Sequence, residues 1–258
     1  MSAIFVFVFG MILGSFLNVC IYRMPKKESV VFPASHCPKC GKNIFWFDNV
    51  PLLSYLVLRG KCRFCKAGIS VKYPIVELLT AFLLTALFVT FGITPKFFAY
   101  SFMSCGLIAA TFIDFEIQEI PDEISVGGTI AGLLLAALFP SILDTATRIA
   151  SITNSLMGAV TGGGIIFLLG FFGKLAFKKD AMGGGDVKLM AMIGSIVGVK
   201  MVILTFFIAP FLGVVPGIVS KIKDGAETIP YGPFLSAAAL ISIFFGNKIL
   251  GFLFGGLI

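Results

Sequence analysis

Polar positions along the chain are gathered into a few stretches, and between them run segments that are apolar on every face. Eight such segments stand out, at roughly 3–22, 75–92, 97–114, 123–140, 152–173, 187–199, 201–219 and 233–256. About 20 helical residues are needed to cross a bilayer core of ~30 Å, and most of the eight approach that length. None alternates apolar and polar residues in the short runs of a membrane barrel strand. In lipid a chain must bond its own backbone groups, which long apolar helices do. The pattern predicts an all-α polytopic membrane protein with about eight transmembrane helices. The sixth and seventh segments share the flank Gly198 to Lys200, so a single re-entrant element there would make seven.

One long polar stretch breaks the series. It divides the chain into a first transmembrane helix (1–22), a soluble module (23–74) and a membrane domain of about seven helices (75–258). Composition agrees, with 58% hydrophobic and 13% charged residues; a soluble domain is nearer half apolar. No basic residue precedes the first segment, whereas Arg23, Lys26 and Lys27 follow it, the pattern of an anchor with its N-terminus outside. With eight spans, sixteen Lys and Arg fall in loops on the module's side. Only Lys96, Arg148, Lys200 and Lys248 fall on the other. That bias makes the module cytoplasmic and places the protein, multi-pass, in a cytoplasmic membrane. The net charge of +7 then reflects topology and an anionic leaflet, and no nucleic-acid partner is expected.

The module carries Cys37-Pro38-Lys39-Cys40 and Cys62-Arg63-Phe64-Cys65, with twenty-one residues between Cys40 and Cys62. A CxxC turn brings two thiolates to one ion, and two turns complete a tetrahedron, the pattern of a four-cysteine zinc site. Two disulfides would account for the same residues but suit a reducing compartment poorly. With all four positions filled by protein the zinc is structural, stapling a segment too short for a large core. His36 lies beside Cys37 but is surplus to that set, and Cys20 and Cys105 sit within apolar segments as small buried residues.

Candidate chemistry in the membrane domain comes from acids. Gly183-Gly184-Gly185-Asp186 opens the sixth segment, and a carboxylate at the mouth of a membrane helix marks a functional site. Five of the thirteen acidic residues lie in 114–123, and none of the basic ones. Glu116, Glu119 and Glu123 read as a solvated turn, with Pro121 stopping one helix and Asp122 capping the next. Asp114 still belongs to the apolar run and ends on the same side as Asp186. Two facing carboxylates do not both ionise readily, so one keeps its proton and the pair supplies a base and an acid. The glycines before Asp186 would let an extended substrate segment approach closely. By residues alone, an intramembrane aspartyl hydrolase and an ion- or proton-coupled transporter are equally open. Glu77 stands where the second helix begins, as a cap or a dipole-compensating acid.

The ordered motifs resemble one family from end to end. They are Gly14-Ser15-Phe16-Leu17-Asn18, Tyr22-Arg23-Met24-Pro25, the two CxxC turns, Asp48-Asn49-Val50-Pro51-Leu52-Leu53, Tyr73-Pro74-Ile75-Val76-Glu77, Ile113-Asp114 with Ile120-Pro121-Asp122, Gly183-x-Gly185-Asp186 and Pro230-Tyr231-Gly232-Pro233-Phe234. The set resembles the bacterial type IV prepilin peptidases, bifunctional leader peptidases and N-methyltransferases whose GxGD motif is shared with presenilin-like proteases. The resemblance implies a membrane aspartyl endopeptidase of the bacterial inner membrane, with Asp114 and Asp186 as the catalytic pair. Prepilins and pseudopilins of type IV pili and protein secretion would be its substrates, cut after a short basic leader at the cytoplasmic face. The new N-terminal residue, usually Phe, would be methylated from S-adenosylmethionine. It also implies Cys37, Cys40, Cys62 and Cys65 as zinc ligands, and leaves Asp122 and Glu77 as candidates for supporting or methyl-transfer roles.

Overall fold

The computed structural model describes residues 2–177, 182–224, 229–253 and 255. Lys178 and Lys179, counted above among the basic loop charges, lie outside the described residues, as do the side chain of Lys221 and the end of the last apolar segment. The chain divides into two compact units, Met1–Ile93 and Thr94–Ile258.

In the first unit, α1 (Ala3–Arg23) and α3 (Lys72–Phe91) pack together, with the module and its short helix α2 (Leu53–Val57) between them in sequence. The two long helices meet almost backbone to backbone. A Cβ on Gly10 would lie 2.7 Å from Ala81 Cα, and one on Gly14 would lie 2.6 Å from Glu77 Cα. Small residues at such a seam let membrane helices associate where no hydrophobic effect drives them together. The opposite face of α1 leaves Ile4, Phe5, Phe9 and Ile12 exposed, as a lipid-facing stripe is.

The second unit holds α4 (Pro95–Ile117), α5 (Asp122–Leu138), α6 (Arg148–Phe177), α7 (Gly184–Asp224) and α8 (Gly232–Leu253). Local sequence sets their ends. Thr94 caps α4 by accepting from Phe97 N–H at 3.4 Å, Pro95 follows at the first helical position, and Lys96 pairs with Asp144 at 2.6 Å beyond that end. Helix α4 stops at Ile117 because Gln118 turns left-handed (φ 54°) and returns its N–H to Asp114 O. Pro121, expected to stop this helix, instead stands at the cap position of α5.

Among the described residues six helices are long and apolar enough to cross a membrane, and the fold class is the all-α membrane architecture the pattern predicts. Two features bring the crossings to about eight. Helix α5 has 17 residues, just short of a full span. Helix α7, 41 residues long, breaks at Gly198 (φ 77°, ψ 175°). Met190 and Val202 would lie roughly 18 Å apart along a straight helix. Yet a Cβ placed on Gly162 of α6 would touch both Met190 O and Val202 Cγ2. The chain therefore doubles back at Gly198, and Asn154 Oδ1 takes up the Val199 N–H at 3.2 Å. The first arm, 184–197, is the unit's core. Leu189, Met190, Met192, Ile193 and Ile196 are buried, with Gly128 and Gly132 of α5 against Met192 and Ser195 and with Gly158 of α6 against Gly194.

Candidate active site

Three helix ends converge in the second unit: the last turn of α4, the first turn of α7 and the start of α8. Asp114 comes from the first, four residues before the cap at Gln118. Asp186 comes from the second, where its N–H returns to Gly183 O at 3.1 Å and closes the turn that starts α7. The third supplies backbone: Gly232 N–H donates to Asp114 Oδ2 at 3.0 Å. Both carboxylates are withdrawn from solvent, with Asp114 5% and Asp186 8% exposed. Asp114 is near enough for its charge to be felt at Asp186, whose side chain also receives the Gly183 backbone. Positive N-terminal ends of α7 and α8 favour negative charge here, against the negative C-terminal end of α4.

Ile120 wedges the three ends together. Its Cβ is 3.1 Å from where a side chain on Gly185 would begin, and its Cδ1 is 3.2 Å from the same point on Gly232. A Cβ on Gly232 would also sit 2.8 Å from Asp114 Oδ2, closer than side chains tolerate. The three glycines before Asp186 are not equivalent. Gly183 is hemmed in by Asp186 Oδ2 at 3.2 Å and Gly185 by Ile120, whereas Gly184 has open space around it.

Tyr231 completes the wall. Burial, and secondarily the negative charge of Asp186, push its phenol up to about 12, so at neutral pH it keeps its proton. Neither Tyr231 nor Gly232 is marked by composition or charge in the sequence. Their only signal is the Pro-Tyr-Gly-Pro run among the ordered motifs.

Asp122, expected as a helix cap, stands instead in the first turn of α5 behind Pro121 and pairs with Lys188 of α7 at 2.6 Å. The acidic stretch thus gains a cation that is distant in sequence.

The first unit brings together the other candidates. Cys37, Cys40, Cys62 and Cys65 hold their sulfurs within 4.8 Å of one another, and Cys37 Sγ and Cys65 Sγ are 3.9 Å apart. Tetrahedral zinc with bonds of about 2.3 Å sets sulfurs roughly 3.8 Å apart, so the residues fit that ion. All four are free thiols. The two turns are near copies. Cys37 N–H bonds Lys42 O and Gly41 N–H bonds Cys37 O, while Cys62 N–H bonds Ala67 O and Lys66 N–H bonds Cys62 O. The amides of Cys65 and Phe64 draw the Cys62 thiol down to about 6, while at Cys40 the Lys42 amide is outweighed by burial and the neighbouring sulfurs, which push that thiol up to about 11. His36 stays outside the cluster, with Nδ1 3.2 Å from Ala34 O.

Glu77 is not in the first turn of α3, which holds no acid. It lies one turn deeper and is buried, and it accepts from Leu52 N–H at 2.8 Å. Leu52 is held at φ 60°, ψ −50°, a conformation costing about 1–3 kcal/mol that points to function. Glu77, Asn18, Tyr22, Tyr55 and Tyr73 line a cavity of about 380 Å³.

Residues 8–91 match the bacterial peptidase A24 N-terminal domain, and residues 101–218 match the type IV leader peptidase family. The chain is 34% identical to the prepilin leader peptidase/N-methyltransferase of Pseudomonas aeruginosa, over 93% of this chain and 89% of that protein. It belongs to the type IV leader peptidase family. A prepilin leader peptidase/N-methyltransferase of Myxococcus xanthus is 38% identical over 86% of this chain. An Escherichia coli type 4 prepilin-like proteins leader peptide-processing enzyme is 36% identical over 91% of both. The chain spans 64% of the Myxococcus protein's length. No solved structure matches. Asp114 and Asp186 fall within the leader peptidase match and the four cysteines within the N-terminal match, while Tyr231 and Gly232 lie beyond both.

Proposed function

We propose that the protein is a membrane aspartyl endopeptidase that removes the short basic leader of type IV prepilins and pseudopilins at the cytoplasmic face, and then methylates the exposed N-terminal amine. One observation carries the first half: two buried carboxylates within electrostatic reach of each other at the meeting of three helix ends. One carboxylate takes a proton from water as its oxygen attacks the scissile carbonyl, and the other, protonated, donates to the carbonyl oxygen. Collapse breaks the C–N bond, the proton held by the first goes to the leaving amine, and a hydroxyl of the tetrahedral intermediate returns its proton to the second as the new carboxyl forms. Gly232 N–H keeps Asp114 aimed, and open Gly184 is where an extended substrate passes, with Gly183 and Gly185 shaping the turn. Asp122, through Lys188, helps hold the starts of α5 and α7 together.

For the second half, the cavity around Glu77 suits S-adenosylmethionine. Its size falls in the usual range for small-ligand sites, and a carboxylate among tyrosine rings suits a sulfonium cation. When bound, the donor supplies the methyl group. Glu77 and the rings of Tyr22, Tyr55 and Tyr73 would bind and orient it, and a structural zinc held by Cys37, Cys40, Cys62 and Cys65 would keep the cavity's outer wall folded.

The test is to incubate purified protein with a prepilin and S-adenosylmethionine and to weigh the product. Wild type removes the mass of the leader and adds one methyl. Asp114→Asn and Asp186→Asn, which keep shape but not proton traffic, lose cleavage by about a hundredfold or more. Glu77→Gln leaves cleavage intact and reduces both methylation and the equilibrium binding of S-adenosylmethionine. Cleavage at the wild-type rate by either Asn variant overturns the peptidase assignment. Undiminished donor binding by Glu77→Gln overturns the cavity.

A further inference from the structure

The soluble module exposes an apolar surface unlike that of a water-facing domain. Trp46 is 82% exposed, Val57 76%, and Leu53 and Leu56 61% each. The patch is continuous. The Phe45 ring lies 5.6 Å from Phe64 and 5.2 Å from Phe47, and Phe47 lies 5.7 Å from Trp46. Ser54 Oγ bonds Phe47 O at 3.1 Å, which ties the aromatic turn to α2. Leu53, Leu56 and Val57 have the i, i+3, i+4 spacing of one helix face. Large exposed apolar patches on soluble surfaces mark interaction sites.

Two observations name the occupant. The first is charge: residues 23–74 hold ten Lys and Arg against Glu28 and Asp48, and Asp48 is already paired with Arg63 at 2.6 Å. Cations rim the patch itself, with Lys42 4.8 Å over the Phe64 ring and Arg63 5.4 Å from the Phe47 ring. The second is tethering. The module begins where α1 ends at Arg23 and finishes where α3 starts at Lys72, both apolar helices of membrane-crossing length. A compact body of about 50 residues has a radius of gyration of only roughly 10 Å, so its surface stays close to the bilayer. Exposed aromatics and aliphatics with cationic neighbours, held beside lipid, match an interfacial anchor.

We propose that the face formed by Phe45, Trp46, Phe47, Leu53, Leu56 and Val57 docks into the headgroup region of an anionic bilayer. The module would then lie on the membrane, with Lys42 among lipid phosphates and Arg63 held at the rim by Asp48. This does not depend on the peptidase or methyltransferase reading.

Trp46 is the chain's only tryptophan, so the intact protein reports on itself. The full chain is reconstituted into phosphatidylglycerol/phosphatidylcholine vesicles in which the lipid is brominated at a shallow or a deep acyl position. Docking predicts strong quenching by shallow bromines, weaker quenching by deep ones, and protection from aqueous iodide, for a depth of about 5–10 Å into the interface. Leu53→Glu/Leu56→Glu/Val57→Glu should lose bromine quenching and gain iodide quenching, while bound zinc, measured alongside, shows that the module is still folded. If this variant fails to fold, Trp46→Phe with Leu56→Trp moves the reporter onto α2 and should show the same bromine profile as wild type. Iodide quenching as complete as that of free tryptophan, without bromine quenching, overturns the proposal. So does protection from both quenchers, which would mean that protein covers the patch.

Discussion

Gly232→Ala offers a sharp test of how the site is built, because it adds one carbon at a place the structure measures. The new Cβ would fall 2.8 Å from Asp114 Oδ2, 3.3 Å from its Cγ and 3.2 Å from Ile120 Cδ1. The backbone bond from Gly232 to that same oxygen, 3.0 Å long, must lengthen or break. A hydrogen bond to a charged group contributes about 1.5–3 kcal/mol, and one to a neutral group about 0.5–1.5. Since each 1.36 kcal/mol is tenfold in rate, kcat should fall roughly tenfold to 150-fold if Asp114 accepts as a carboxylate. A fall within about tenfold would mean that it accepts as a neutral acid. KM should change little, because the lost interaction serves the reacting groups rather than substrate binding. Gly127→Ala in α5 is the control, as a Cβ there meets nothing within 4 Å. Single-turnover cleavage of a prepilin, followed by mass, reads both. Wild-type kcat for Gly232→Ala, or an equal loss in Gly127→Ala, would refute the reasoning.

Other expectations follow from particular contacts. Cys62→Ser should release about one zinc per chain, measured by metal analysis, and expose 37–65 to protease, since metal binding and folding of such modules are linked. Finding no zinc in the wild type would remove that site. Asp122→Asn and Lys188→Gln break a pair whose side chains are 62% and 46% exposed, so each should cost under about 1 kcal/mol. The double variant should cost no more than either one, as thermal unfolding in detergent would show. Gly158→Leu should be severe, because a Cβ at Gly158 already meets the Gly194 carbonyl. Loss of the folded second unit is expected, and a variant as stable as wild type would deny the close packing of α6 on α7.

Much of this was legible because membrane helices and metal turns announce themselves in one dimension. An apolar run must be helical in lipid, and two CxxC turns leave little choice of partner. The doubling of α7 was half legible: Gly198 lay in the flank shared by two segments, but only Asn154, forty-five positions away from Val199, shows how the freed N–H is satisfied. What escaped came from packing between distant segments. Asp122 looked like a cap until Lys188 arrived from another helix. Glu77 looked like a helix-end acid because its position was counted from the apolar boundary at 75. The helix begins earlier, at Lys72, which carries Glu77 past the first turn and turns it toward Leu52. Gly232 shows in the sequence only through the Pro-Tyr-Gly-Pro run, since its contribution is a backbone N–H that neither charge nor apolar pattern can mark.

The length of the first arm of α7 ties fold to chemistry. Residues 184–197 rise about 21 Å, some 9 Å less than a bilayer core. So short a helix is tolerable because α5 and α6 enclose it and no lipid meets its ends. The shortfall must appear at one end. The far end leads through Gly198 to exposed Lys200, a residue that seeks the polar boundary. The near end carries Asp186 and, two residues on, exposed Lys188 paired with exposed Asp122, so a polar boundary must reach in as far as the carboxylates themselves.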